Sequence, residues 1–279
     1  MILSDAHQMA FLHNPKVGGT SIRATIEHLH DGDTIFWSTD SERDGPPLDR
    51  AHLGLDEIAD HYPDIWSRMQ GYRLFSLYRD PFGRFFSSLA EFSKLHGDVD
   101  TRFAETSDRK RALMEMRDRL EALGQAEAVM DHYELRHFRP QWIYWHAQTA
   151  PNAAELDVVS LPVEQISALF DAISERTGQP LTEQTRNRGD QLDLPGPLAR
   201  LAGHRGIKDT LKRLPGADHL KALLRGRYTV KTSSTDRYGL SPDEADDLHA
   251  FVDKFYAQDL ARWPDHEAGS GLLASRASG

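Results

Sequence analysis

The chain contains no cysteine, so disulfides, thiolate nucleophiles and zinc–thiolate sites are excluded. No apolar run approaches the roughly 18 residues that a membrane-spanning helix requires. The stretch Met1-Ile2-Leu3-Ser4-Asp5-Ala6-His7 lacks a basic segment followed by an apolar one, so no secretory signal is expected and a cytoplasmic location is the default. Positive charge is also short. The 33 Lys and Arg against 43 Asp and Glu leave a formal net charge of −10. A chain of that sign is no general polyanion binder, and nucleic acid is not an expected partner. Any anionic ligand must be held by a local site working against the overall field. Internal repeats and low-complexity segments are absent as well.

What is present suits an α/β protein with a substantial core. One domain is expected over 1–264, with an irregular basic insertion over about 179–230 and a frayed tail over 265–279. Met9-Ala10-Phe11-Leu12-His13 is a short apolar run that reads as a buried strand. A glycine-containing turn follows at Lys16-Val17-Gly18-Gly19-Thr20-Ser21, and then a helical pattern with Ile22, Ile26 and Leu29 on one face. Residues 31–50 read as a loop and 55–61 as a short helix. Arg73-Leu74-Phe75-Ser76-Leu77-Tyr78 is a second buried strand. After it Asp80 can cap a helix, Pro81 fits its first position, and Phe82, Phe85, Phe86, Leu89 and Phe92 give it an apolar face. Residues 102–136 read as one or two charged, exposed helices. A third strand is expected over 156–161, with a helix after it ending near Gly178. Ser241-Pro242-Asp243-Glu244 matches a capping box opening a last helix. Strands alternating with helices argue for a parallel sheet covered on both faces, with ligands beyond the carboxyl ends of the strands.

Two segments at those strand ends suit anions. In the first, Gly18 and Gly19 let backbone N–H groups approach a ligand closely. The helix start adds partial positive charge, Thr20 and Ser21 offer hydroxyls, and Lys16 adds a full charge. The nucleoside-triphosphate loop GxxxxGK[ST] is absent, because the lysine precedes the glycines. By itself the segment reads equally as a structural turn. In the second, Arg79 leaves a strand end where it can grip a phosphate bidentately, with Ser87 two turns along the next helix. Alternatively Arg79 pairs with Asp80 or a helix terminus, and Ser87 is a solvated hydroxyl.

Phe11-Leu12-His13-Asn14-Pro15-Lys16-Val17-Gly18-Gly19-Thr20-Ser21 resembles the 5′-phosphosulfate loop of sulfotransferases that use 3′-phosphoadenosine 5′-phosphosulfate (PAPS). Tyr78-Arg79-Asp80-Pro81 through Arg84 and Ser87 resembles their 3′-phosphate motif, RDPxxRxxS. The carbohydrate-modifying branch is the nearest in pattern. His137-Phe138-Arg139-Pro140-Gln141, the strand and helix over 156–177, and Tyr256-Ala257-Gln258-Asp259-Leu260 are weaker echoes, while 31–50 and 190–230 have no counterpart. The resemblance implies transfer of a sulfuryl group from PAPS to a hydroxyl of a carbohydrate or glycoconjugate, with PAP (adenosine 3′,5′-bisphosphate) as product and no metal. It implies that Lys16 stabilises the leaving oxygen, that Lys16, Val17, Gly18, Gly19, Thr20 and Ser21 form the 5′-phosphosulfate cradle, and that Arg79 and Ser87 hold the 3′-phosphate. Arg84 matches the motif too, or pairs with a carboxylate to support the fold. The expected fold is a P-loop-like three-layer sandwich, a central parallel sheet of about five strands with helices on both faces. Lacking a leader and an anchor, the chain is expected to differ from Golgi-resident glycan sulfotransferases and to be a cytoplasmic, bacterial enzyme. Its acceptor is then a glycan, a lipid-linked sugar or a small hydroxylated metabolite.

The acceptor hydroxyl must give up a proton, and histidine suits that near neutral pH. Of the 14 histidines, His52 lies between the two motifs and resembles the general base of glycan sulfotransferases; the other reading is a surface or loop-packing residue. Glu57 and Glu91 are fallback bases. His13 reads as bracing the loop and His137 as structural. The cations Arg186, Arg188, Arg200, Arg205, Lys208, Lys212, Arg213, Lys221, Arg225 and Arg227 read as a solvated insertion or as an acceptor-side lid. Trp142, Tyr144 and Trp145 read as core aromatics or as a sugar-stacking surface. Two other functions remain open on the sequence: a catalytically idle nucleotide- or glycan-binding module, and a nucleotide-dependent kinase of the same architecture.

Overall fold

The computed structural model describes residues 1–32, 34–97, 100–182 and 233–263. The expected basic insertion beyond residue 182, with all ten of its named cations, and the expected tail lie outside the described residues. The described residues form two compact units, one from 1–80, 140–182 and 257–263, the other from 81–139 and 233–256.

Six strands lie among the described residues, all in the first unit: β1 (Ile2–Ser4), β2 (Met9–Leu12), β3 (Thr39–Asp40), β4 (Leu48–Asp49), β5 (Arg73–Tyr78) and β6 (Asp157–Pro162). Its helices are α1 (Gly19–Ile26), α2 (Leu55–His61), α3 (Pro63–Met69), α6 (Ile166–Thr177) and α9 (Ala257–Ala261). The second unit holds α4 (Pro81–Leu95), α5 (Thr106–Leu123), α7 (Ser234–Arg237) and α8 (Pro242–Phe255). The protein is thus mixed α/β.

The main sheet has the order β1-β2-β5-β6. β2, β5 and β6 run parallel, with Phe11, Phe75 and Val159 in one row and Leu12, Ser76 and Ser160 in the next. These three strands are the ones their apolar runs predict. β1 is a departure, because it pairs antiparallel to β2 and makes the sheet mixed. Three residues are too few to show a period of two, so the strand is silent in the sequence. Its turn into β2 is held by Asp31, whose carboxylate accepts N–H groups from Asp5 at 2.7 Å and Ala6 at 2.9 Å. The sheet has four strands among the described residues where about five were expected. β3 and β4 form a two-stranded ribbon inside the segment that reads as a loop.

Alternate strand residues point to opposite faces. Phe11, Phe75, Leu77, Val159 and Leu161 share one cluster with Ile22 and Ile26 of α1 and with Leu169, Phe170 and Ile173 of α6. The alternate residues Ala10, Leu12, Leu74 and Ser76 are buried as well, so both faces of the central strands are covered. Such strands read as continuous apolar runs.

The second unit packs Phe85, Phe86 and Leu89 of α4 against Leu113, Met116 and Leu120 of α5 and Leu248, Val252 and Phe255 of α8. The charged segment over 102–136 is therefore half core, because α5 buries one stripe of apolar residues. The capping box forms as expected: Glu244 N–H donates to Ser241 Oγ at 3.3 Å, and Ser241 N–H donates to Glu244 Oε2 at 2.8 Å. Arg84 is 1% exposed and donates to the carbonyls of His137 at 3.3 Å and Arg139 at 2.5 Å, with its guanidinium over the Tyr256 ring. It supports the fold through carbonyls. His137 is buried, in keeping with its structural reading.

In the first unit, Asp56 of α2 pins the loop over 148–150. Its carboxylate accepts the N–H groups of Gln148, Thr149 and Ala150 at 2.9, 3.0 and 2.9 Å. Burial alone would push this carboxyl up, but the three N–H donors outweigh it and hold it below the usual value of 3.8. A depressed folded-state value makes the contribution present above 3.8 and lost as pH falls through the folded value. Asp56→Asn is therefore expected to destabilise the protein at about pH 7 and to matter progressively less toward about pH 3. Urea unfolding of both proteins across that range checks this, and a pH-independent gap would assign the loss to packing.

Candidate functional site

Because β2, β5 and β6 are parallel, the segments that follow them stand at one edge of the sheet: His13–Gly18 after β2, Arg79 after β5, and Val163 after β6. The first is bent by two left-handed residues, Lys16 at φ +69° and Gly18 at φ +85°. At Gly18 the conformation is free of cost, whereas at a residue with a Cβ it costs about 1–2 kcal/mol. The loop thus spends strain to place Lys16. Val17, between them, is fully buried in the α1 cluster and anchors the turn.

Gly18 is also the N-cap of α1 and supplies no capping side chain. Its carbonyl accepts from Ser21 N–H at 2.9 Å and Ile22 N–H at 3.2 Å. Helix geometry leaves the N–H groups of Gly19 and Thr20 with no acceptor inside the helix, at its positive end. Gly18 and Thr20 are exposed, Lys16 is half-buried, and Gly19 and Ser21 are buried. An opening of this kind suits an anion.

Gly19 is buried under the imidazole of His13: a Cβ at position 19 would fall inside that ring. The His13 ring in turn stands edge-on to the His52 ring, centroids 4.4 Å apart. His52 ends a turn of 3-10 helix (Arg50–His52) started by Asp49, whose carboxylate accepts Ala51 N–H at 3.1 Å. Its Nδ1 lies 2.9 Å from the His13 carbonyl oxygen. A carbonyl only accepts, so Nδ1 carries the proton and the lone pair of the neutral ring is on Nε2. The hydroxyl of Tyr144 donates to the His52 carbonyl at 3.0 Å and fixes the backbone as well. His52 is therefore both packed against the loop and oriented as a proton acceptor. His13 braces the loop, as its position predicts.

The second strand end is joined to the first by a buried polar network. Asn14, Gln141 and Asp259 are each 0% exposed. Asn14 Nδ2 donates to the Leu77 carbonyl at 3.0 Å and to Gln141 Oε1 at 3.1 Å. The Gln141 amide clasps the backbone of Arg79 from both sides, accepting its N–H at 3.0 Å and donating to its carbonyl at 2.8 Å. The carboxylate of Asp259 holds Gln141 in turn, accepting the N–H groups of Gln141 at 2.6 Å and Trp142 at 2.9 Å. Tyr78, before Arg79, lies between Trp145 and Trp263, with ring centroids 5.7 and 4.5 Å away. Sequence reasoning gave Asn14 and Asp259 no role. The signal was present only as polar residues bordering apolar runs, and as unexplained echoes around Gln141 and Asp259.

Other candidates are occupied elsewhere. Glu57 accepts the Gly54 N–H at 2.9 Å at the start of α2, and Glu91 pairs with Lys94 at 2.6 Å in the second unit. Trp142 and Tyr144 are core residues and Trp145 is half-buried, its Nε1–H donating to the Arg262 carbonyl at 2.8 Å. Ser87 is half-buried on α4, in the second unit. No helix among the described residues is long and apolar enough to cross a membrane. Comparison with protein-family models, with curated proteins and with solved structures finds no match.

The close fit of His13 over Gly19 can be tested directly. Gly19→Ala is expected to cost about 1–3 kcal/mol, the usual range for overpacking, because the ring must leave its place. His13→Ala should recover most of that loss when combined with it, a coupling that a double-mutant cycle in urea measures. Strictly additive losses would show that the ring and the glycine are independent.

Proposed function

We propose that the chain is a PAPS-dependent sulfotransferase that transfers a sulfuryl group to an acceptor hydroxyl. The observation that carries this reading is the juxtaposition of two anion-suited segments. Lys16–Ser21 and Arg79 follow adjacent parallel strands, β2 and β5, and the Asn14–Gln141 bridge ties them together. A donor with a phosphosulfate at one end and a 3′-phosphate at the other needs two anion sites at a fixed separation. The mixed sheet is in keeping with a P-loop-like three-layer sandwich; the pattern resemblance alone favours a carbohydrate hydroxyl as acceptor, and the cavity described below argues instead for a smaller aromatic one.

On this reading each residue has a physical task. The Gly19 and Thr20 N–H groups and the Thr20 and Ser21 hydroxyls bind the 5′-phosphate at the positive end of α1. The Lys16 ammonium neutralises charge that develops on the phosphate oxygen as the bond to sulfur breaks. Arg79, its backbone immobilised by Gln141, grips the 3′-phosphate that separates PAPS from other adenine nucleotides. His52 accepts the acceptor's proton on Nε2 while the His13 carbonyl holds its other nitrogen. Nucleotide triphosphate hydrolysis fits less well, since no Gly-Lys-Ser/Thr follows β2.

Calorimetric titration of PAP beside ATP and AMP tests the reading. PAP is expected to bind at micromolar concentration or tighter and ATP weakly, and Arg79→Ala should weaken PAP by about 10- to 100-fold, the worth of hydrogen bonds to a charged group. Indifference to the 3′-phosphate would end the sulfotransferase reading. For the base, His52→Ala is expected to lower the rate of sulfuryl transfer by about 10²–10⁴-fold and to leave PAP affinity unchanged. Undiminished transfer in that variant would move the proton to another group.

A further inference from the structure

The first unit holds a cavity of about 200 Å³ that none of the nucleotide contacts proposed above uses. Phe11, Phe36 and Trp37 give it aromatic walls, and His13, His52 and Arg23 give it polar groups. Phe11 stands opposite Ile2 across the β1–β2 pair, so one wall belongs to the sheet and is rigid. Trp37 is fixed as well. Its Nε1–H donates to the Met1 carbonyl at 3.2 Å, and the Arg23 guanidinium sits 4.4 Å from its ring centre. Arg23 Nε is buried and makes no hydrogen bond among the described residues; the Glu27 carboxylate, at 3.8 Å, is outside hydrogen-bond range. The Arg23 guanidinium, 41% exposed and ion-paired with Glu27 across 3.8 Å, therefore borders an aromatic cavity with a charge that a ligand carboxylate can share.

We infer that this cavity is the acceptor pocket and that its occupant is a monocyclic hydroxylated aromatic acid, hydroxyl toward His52 and carboxylate toward Arg23. The chemistry rests on the sulfotransferase reading; the pocket itself rests on the lining. Size limits the occupant first. An apolar cavity of about 150 Å³ accommodates benzene, so about 200 Å³ has room for one substituted ring. Polarity limits it next. A buried pyranose carries a hydroxyl on nearly every ring carbon, and each one left unpaired costs about as much as a lost hydrogen bond. Among the described residues the polar side chains lining the cavity are those of His13, His52 and Arg23, with the Trp37 N–H already given to the Met1 carbonyl; this set matches a phenol and a carboxylate better than the many hydroxyls of a sugar. Aromatic walls favour a flat ring, which packs against them edge-to-face or offset. In the transfer, the phenolic O–H proton passes to His52 Nε2 and the oxygen forms the new O–S bond. The S–O bond to the donor's phosphate breaks with its electron pair leaving on the phosphate oxygen, and PAP is released.

The test titrates 4-hydroxybenzoate, phenol and methyl β-glucoside into wild type, Arg23→Met and Ala51→Phe, each with and without saturating PAP. 4-Hydroxybenzoate is expected to bind wild type at least about 10-fold more tightly than phenol, the least that a hydrogen bond to a charged group is worth. Arg23→Met should erase that preference while keeping phenol binding and PAP affinity. Ala51→Phe, which places a ring in the cavity, should abolish binding of both aromatics. Equal binding of 4-hydroxybenzoate by all three proteins, no binding at all, or stronger binding of the glucoside would each overturn the pocket. PAP binding without aromatic binding would remove the pocket and leave the sulfotransferase reading standing. Aromatic binding that follows Arg23 and Ala51 in a protein indifferent to PAP would support the pocket and remove the sulfotransferase chemistry.

Discussion

The carboxamide of Gln141 is the point on which the candidate site depends. One oxygen accepts from Asn14 and from the Arg79 backbone, and the nitrogen donates back to the Arg79 carbonyl. A fully buried amide is costly unless nearly all its bonds are made, so the arrangement allows little freedom to any partner. Asn14 follows β2 and Arg79 follows β5, so the amide holds together the two strand ends to which the proposed function assigns the anions. Their separation is set by a side chain that sits in the interior and touches no solvent.

The same network explains how a discontinuous unit closes. The chain leaves the first unit after residue 80 and returns at 140, then leaves again and returns at 257 for the last described stretch. Gln141 is one residue past the first return and Asp259 two residues past the second. Each re-entry is therefore pinned within a turn of its start, and the two pins are bonded to each other through Asp259 Oδ1. A carboxylate buried to this degree is retained where it satisfies backbone N–H groups that would otherwise be orphaned. Asp259 does so for both Gln141 and Trp142.

Much of this architecture is legible in the sequence for physical reasons. β2, β5 and β6 are apolar on both faces, so they appear as unbroken runs. α4, α6 and α8 each bury one stripe and so show their period, and the box at Ser241 and Glu244 is local enough to be read directly. What stays hidden is non-local. β1 is three residues long and is recognisable only through its partner β2 and the Asp31 carboxylate that holds its turn. The two-stranded ribbon of β3 and β4 is shorter still. Asn14, Gln141 and Asp259 are distant in the chain, and nothing in a single sequence says that they meet. His52 could be singled out by resemblance, but its tautomer could not, because that depends on the carbonyl of His13.

His13 shows why the first loop must be read as a whole. Its carbonyl sets the proton on His52, and its ring covers the Cα of Gly19 where any side chain would collide. One residue thus couples the nitrogen that would take a proton to the N–H groups that would hold a phosphate. The left-handed turn at Lys16 and Gly18 lies between these two functions in the chain and costs conformational energy at Lys16. Strain of that kind persists where the surroundings over-determine the backbone. Here they do so from both sides, through Val17 in the core of α1 and through Asn14 bonded to the end of β5. On the proposed sulfotransferase reading, a loop anchored so firmly would have little left to reorganise as charge develops in front of it, which is the condition under which fixed dipoles stabilise a transition state better than water does.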